Sequence, residues 1–232
     1  MNKTETKAVV DAFMTALITT SYENISLRQV AETAKVPFPK MLGVFTSKID
    51  LIAAFAQRVD EAVLADDDPE MLEEPPRERL FDVLMRRYDA LLPHKLALIQ
   101  LERDARREPA LGLALVRIVS TSMEKMAAAA DVSLDGARGR VVMGGLLQVH
   151  ARVMRVWLKE SDEGQALTMA ELDKALRQAE RRMNDIDRTV TLLRAEGGET
   201  GGPLCRLRAQ MDKMRSRRSR SSDSGDASAE AA

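Results

Sequence analysis

The prolines of this chain stand at positions 37, 39, 69, 75, 76, 93, 109 and 203, so residues 110–202 contain none. Proline lacks the N–H that an inner helical turn needs and its ring collides with the preceding turn. A long proline-free interval in which apolar residues recur every three and four positions is therefore the pattern of packed helices. Composition agrees: 45% of the residues are hydrophobic and 13 are Met, but only 3% are aromatic. That mixture fills helical bundles with Leu, Ala and Met and is poor material for a β-sandwich. The expected class is all-α, and 232 residues suffice for one large or two small helical domains.

Local signals divide the chain. Asn2 with Glu5 forms a capping box that opens a first helix, with Val9, Phe13, Leu17 and Ile18 as its buried stripe. Ser26 with Gln29 opens a short second helix carrying Leu27, Val30, Ala31 and Ala34, which stops near Lys35. Pro37 and Pro39 fit only the first turn of a third helix, expected over residues 38–44. Ser47 with Asp50 opens a fourth, with Ile52, Phe55, Val59 and Val63 on one face. Residues 66–76 are crowded with acids and prolines and are expected to form a solvated linker. The predicted division is residues 1–65, the linker 66–76, a second domain over 77–196, and a disordered tail from 197 to 232.

Within 77–196, one helix is expected to turn Leu80, Phe81, Leu84, Met85, Tyr88 and Leu91 inward, and another to follow Pro93. A Met- and Leu-rich helix comes next over 109–130, then one over 137–159 carrying Val141, Leu146, Met154 and Trp157. The last long helix should begin at a Thr168–Glu171 capping box and run through Leu172, Leu176, Met183 and Val190. Gly197, Gly198, Gly201, Gly202 and Pro203 are expected to end the folded body. In the tail, Leu204, Leu207, Met211 and Met214 recur at roughly helical spacing beside a run of arginines, compatible with a short basic amphipathic helix or with a solvated tail.

The net charge of −1 neither advertises nor excludes nucleic-acid binding. A single cysteine, Cys205, precludes an internal disulfide framework. Neither a secretory leader nor an apolar run long enough to span a bilayer is evident, so the cytoplasm is the expected location and stable membrane association is not expected. Two histidines without neighbouring ligands, no glycine-rich phosphate loop and no nucleophile elbow leave no constellation for catalysis, and no cofactor or metal is expected.

The segment from Ile25 to Leu51, ISLRQVAETAKVPFPKMLGVFTSKIDL, has two short helices in helix-turn-helix order followed by F-x-S-K-x-x-L. With Tyr22, Ser26, Leu27, Val30, Ala31, Ala34, Val36, Phe45, Ser47, Lys48 and Leu51 in place, it resembles the N-terminal domain of tetracycline-repressor (TetR) family transcriptional regulators. Residues 77–95 and 155–176 are similar to the C-terminal domain of an alphaproteobacterial TetR-like group related to the lipid-binding accessory proteins of ubiquinone biosynthesis. The resemblance implies a three-helix DNA-binding domain joined to a helical dimerisation and effector domain. It also implies an alternative, a TetR-fold lipid-binding or scaffolding protein that has lost operator recognition.

On that pattern the candidate DNA contacts are Ser26, Arg28, Gln29, Lys35, Phe38, Lys40, Met41 and Lys48. This chain departs from the family where Lys35 replaces the usual turn glycine and where Pro37, Phe38, Pro39, Leu42 and Gly43 occupy the reading helix. Base edges are read by donors and acceptors, and between Val36 and Phe45 only Lys40 offers one. Residues 1–50 carry six Lys and Arg against five acids, a net of +1. Leu84, Tyr88, Met123, Met126, Met143, Leu147 and Trp157 are the candidate contacts for an apolar small-molecule effector, with plain core filling as the other reading. The expected partners are double-stranded DNA and a second copy of the chain, the latter through Leu146, Val149, Val153, Leu172, Leu176 and Met183.

Overall fold

The computed structural model describes residues 1–65, 71, 73–162 and 164–199, with side chains described as far as 189. All regular structure among them is helical. The helices are α1 (Lys3–Thr19), α2 (Leu27–Thr33), α3 (Phe38–Leu42), α4 (Lys48–Ala65), α5 (Pro76–Leu91), α6 (Lys95–Arg107), α7 (Pro109–Ala129), α8 (Gly136–Trp157) and α9 (Ala166–Glu199). Single 3-10 turns at Tyr22–Asn24 and Leu92–His94 join α1 to α2 and α5 to α6. The described residues divide into two units, the first ending at Glu180 and the second beginning at Arg181, and the described part of the second is the C-terminal stretch of α9.

The helix starts are chemically determined. At α1 the Asn2 side chain accepts from the backbone N–H of Glu5 at 2.8 Å while Glu5 accepts from that of Asn2 at 3.0 Å. The same reciprocal pair joins Ser26 and Gln29 at α2. Asp50 accepts the backbone N–H groups of Thr46 and Ser47 at 2.8 and 2.9 Å and closes the start of α4. Such caps satisfy donors that have no partner inside the helix.

One buried apolar cluster runs from α1 through α4, α5 and α7 to α8 and the first turns of α9. Val9, Phe13 and Leu17 form the stripe of α1, joined by Val10 and Met14. Ile18 departs from expectation at 47% exposed. It lies in the last turn of its helix and lines an open groove with Leu96 of α6. The third helix ends at Leu42, two residues short, because Gly43 and the turn that follows satisfy its last carbonyls through the N–H groups of Gly43, Val44 and Phe45.

The start of α9 also differs. Gln165 adopts a left-handed conformation, φ +54°, and the helix begins at Ala166, so Thr168 lies inside the first turn. The cap is the carboxylate of Glu160, which accepts from the N–H groups of Leu167 at 2.7 Å and Thr168 at 3.0 Å and from the Thr168 hydroxyl at 2.5 Å. Glu171 instead pairs with Arg152. At its far end α9 passes through Gly197 and Gly198 to Glu199. The expected tail beyond it, with its amphipathic segment, lies outside the described residues, as do most of the linker acids.

Leu146, Val149, Val153, Leu172 and Leu176, expected at a dimer interface, are all buried within the single chain. They pack α8 and the first turns of α9 into the core of one chain. Their outward sides keep Val141 and Leu167 exposed.

Candidate nucleic-acid interface

The first three helices and the start of α4 bring most of the predicted DNA contacts into one region. Lys35 forms the turn after α2 with φ +55°, the left-handed conformation that glycine adopts without strain. Arg28, on the exposed side of α2, places its guanidinium 4.5 Å from the ring centroid of Phe38 at the start of α3. This cation–π contact ties the two helices and leaves Phe38 half-buried. Ser26 and Gln29 are engaged with each other in the α2 cap. Met41 is fully buried and packs the core of the three-helix unit, so its side chain presents nothing to solvent.

Lys40, the one donor expected on the reading helix, is exposed but bound. Its ammonium sits 2.7 Å from Glu5 on α1. That hydrogen bond, followed by the one from the Asn2 backbone, holds the Glu5 carboxyl below its ordinary pKa. The remaining outward side of α3 and its exit is apolar: Pro37, Pro39, Leu42 and Val44 are exposed.

Lys48 lies at the first turn of α4 with its ammonium over the Tyr22 ring, 4.3 Å from the centroid. It donates to the backbone carbonyl of Tyr22 and, at 3.2 Å, to that of Glu23. Partial burial lowers its pKa, opposed by the charges of Glu108 and Glu23. An ammonium has three donors, two of which these carbonyls engage. Tyr22 is fixed from its other side by Asp104 of α6, which accepts its backbone N–H at 2.8 Å. Lys48 is thereby connected through Tyr22 to α6.

Two relationships were hidden from the sequence. Glu5 fits a capping box completely, and nothing in its spacing announces a second role as the partner of Lys40, 35 residues away. The bond between Tyr22 and Asp104 spans 82 residues and has no local signature.

The candidate effector contacts belong to the apolar core. Leu84, Tyr88, Met123, Met126 and Trp157 are buried, and Met143 and Leu147 are half-buried against the same core. The Tyr88 ring lies 5.8 Å from Trp157 and 6.1 Å from His150, whose Nδ1 is 3.4 Å from the Tyr88 hydroxyl. Among the described residues no helix is long and apolar enough to cross a membrane, and no group of three or more His, Cys, Asp or Glu could hold a metal ion.

No protein-family model matches the sequence, and no curated protein matches it. Solved structures do. A TetR transcriptional regulator from Nitrosomonas europaea superposes with a TM-score of 0.61 at 22% identity, covering 75% of this chain and 97% of that one. A TetR regulator from a Rhodococcus species superposes with a TM-score of 0.52 at 15% identity, over 76% of this chain and 96% of the other. At these identities the likeness establishes the fold: the chain has the fold of TetR transcriptional regulators.

Proposed function

With the TetR fold as premise, we propose that this chain is a DNA-binding transcriptional regulator that acts as a homodimer. The observation that carries the reading is the helix-turn-helix made by α2, the Lys35 turn and α3, flanked by Arg28, Lys40 and Lys48. Residues 1–65 contact DNA, and residues 77–196 dimerise and respond to an apolar small molecule. A second copy is required because one short reading helix covers few base pairs, and two half-sites about 34 Å apart restore specificity. The outward sides of α8 and α9, where Val141 and Leu167 are exposed, serve as the joining faces.

Specificity rests mainly on phosphate positioning and DNA shape, since α3 offers Lys40 and little else for base edges. The decisive experiment titrates labelled promoter DNA from upstream of the gene, beside a scrambled sequence, at two salt concentrations. The regulator reading expects a preference for promoter that survives at higher salt. Replacing Lys48 by Ala should weaken both complexes alike and lower the salt slope by about one unit per lost phosphate contact. Sedimentation at micromolar concentration should give twice the chain mass, and a monomer there removes the homodimer from the proposal.

The apolar outward side of α3 supports a second reading. Pro37, Pro39, Leu42 and Val44 suit a TetR-fold protein that binds lipid or scaffolds other proteins without recognising an operator. Equal, steeply salt-dependent affinity for promoter and scrambled DNA would select it.

A further inference from the structure

A groove of about 530 Å³ opens between α5 and the start of α9. Its ionisable lining consists of Glu74, Glu78, Asp82 and Asp89, with no basic side chain among the lining residues. Glu78 and Asp82 are offset by neighbouring arginines, Arg77 and, at 2.9 Å, Arg86. Glu74 and Asp89 have no ion-pair partner among the described residues. The groove is therefore negatively charged after its own ion pairs are counted. Its apolar lining is one aromatic ring and three thioethers: Phe81, Met71 and Met85 are half-buried, and Met169 is exposed on the α9 side.

Carboxylates around an aromatic ring and thioethers attract a cation that gives up water easily. A small hard ion keeps its hydration shell and needs several carboxylates converging on one point, and no such convergence occurs among the described residues. An anion of any shape meets uncompensated negative charge. The volume falls in the range of small-molecule sites, roughly 300–1,000 Å³. We propose that this groove binds a lipophilic organic cation, its aromatic or alkyl body against Phe81, Met85 and Met169 and its charge toward Glu74 and Asp89. This is a site distinct from the buried cluster around Tyr88 and Trp157, and it stands whether or not the chain binds DNA.

The structure supplies its own reporter. Gln165 lines the groove, donates to the carboxylate of Asp89, and accepts the indole N–H of Trp157 at 2.7 Å. Trp157 is the only tryptophan in the chain, so its emission follows occupation of the groove through one intervening side chain.

The full chain should be titrated with tetraphenylphosphonium and, separately, with tetraphenylborate, which has the same shape and the opposite charge. Binding is read by calorimetry and by Trp157 emission. Saturable one-to-one binding of the phosphonium is expected, with the borate at least about ten-fold weaker. In a Glu74→Gln/Asp89→Asn double variant, which preserves size on two exposed positions, the phosphonium Kd should rise about ten-fold. Phe81→Ala should weaken it as well while circular dichroism stays that of the parent. Equal binding of the two probes, no binding of the phosphonium, or an unchanged Kd in the double variant overturns the assignment.

Discussion

The ammonium of Lys40 on α3 lies 2.7 Å from the carboxylate of Glu5 on α1. On the proposed function, DNA would have to compete with Glu5 for Lys40, the one long donor on α3. A glutamine at position 5 keeps an amide oxygen for the Asn2 N–H and removes the charge that retains Lys40. Glu5→Gln should bind promoter DNA more tightly than the parent, with a log-log salt slope steeper by about 0.9 per freed lysine that reaches a phosphate. Fluorescence anisotropy at several salt concentrations tests this. Identical slopes for parent and variant would mean that the pair does not compete with DNA. Lys40→Ala in the Glu5→Gln background should cancel the gain.

Asp60 of α4 is 1% exposed and gathers three partners from beyond the linker: Arg87 at 3.4 Å, Ser122 at 2.9 Å and Lys125 at 3.1 Å. The Arg87 guanidinium is itself buried, and burial followed by the opposing influence of Asp60 sets its lowered pKa. Removing the anion leaves a buried cation without its counter-charge. Asp60→Ala should cost about 3–5 kcal/mol in urea unfolding. The double variant Asp60→Leu/Arg87→Met should recover most of that loss. If the single and double variants are equally unstable, the cost lies in packing and not in the stranded charge.

His150 is buried beside Tyr88 and Arg87, and burial, aided by the Arg87 charge, lowers its pKa to about 3. The unfolded chain takes up that proton near the ordinary value of about 6.5. Stability from this group is therefore complete above that pH and is lost progressively as pH falls toward the folded value. Between pH 7.5 and 5.5 the parent should lose roughly 1 kcal/mol through His150. Half-buried His94, whose pKa is lowered by burial and then by Arg58, adds a contribution of the same sign. Denaturant midpoints at the two pH values should converge in a His150→Gln variant; an unchanged difference would exclude His150 as its source.

Two backbone positions allow opposite stability tests. Lys35 holds φ +55° in the exposed turn between α2 and α3. A side chain in that conformation costs about 1–2 kcal/mol, part of which glycine returns as extra freedom in the unfolded chain. Lys35→Gly should therefore stabilise the fold by up to about 1 kcal/mol. Gly139 lies where a β-carbon would collide with the backbone carbonyl of Leu134. Gly139→Ala should destabilise by about 1–3 kcal/mol in thermal or urea unfolding. A neutral result at Gly139 would show that the turn before α8 yields easily.

The local chemistry of the sequence determined the helices and most of their ends. Proline spacing, the Asn2–Glu5 and Ser26–Gln29 boxes, and the Ser47–Asp50 pair each involve residues within four positions, where geometry follows from the helix itself. The buried stripes of α1 and α4 were legible for the same reason: helical period alone decides which side chains share a face. Only the tertiary structure decided what those faces meet. It turned Ile18 outward, took Leu146, Val153 and Leu172 into the core of one chain, and exchanged the Thr168–Glu171 cap for Glu160. It also joined Lys40 to Glu5, Asp104 to Tyr22, and Asp60 to Arg87. These pairings lie 27 to 82 residues apart, and no periodicity encodes them. Each arises because packing of the apolar faces brings two polar groups together, and burial then makes an unpaired group costly.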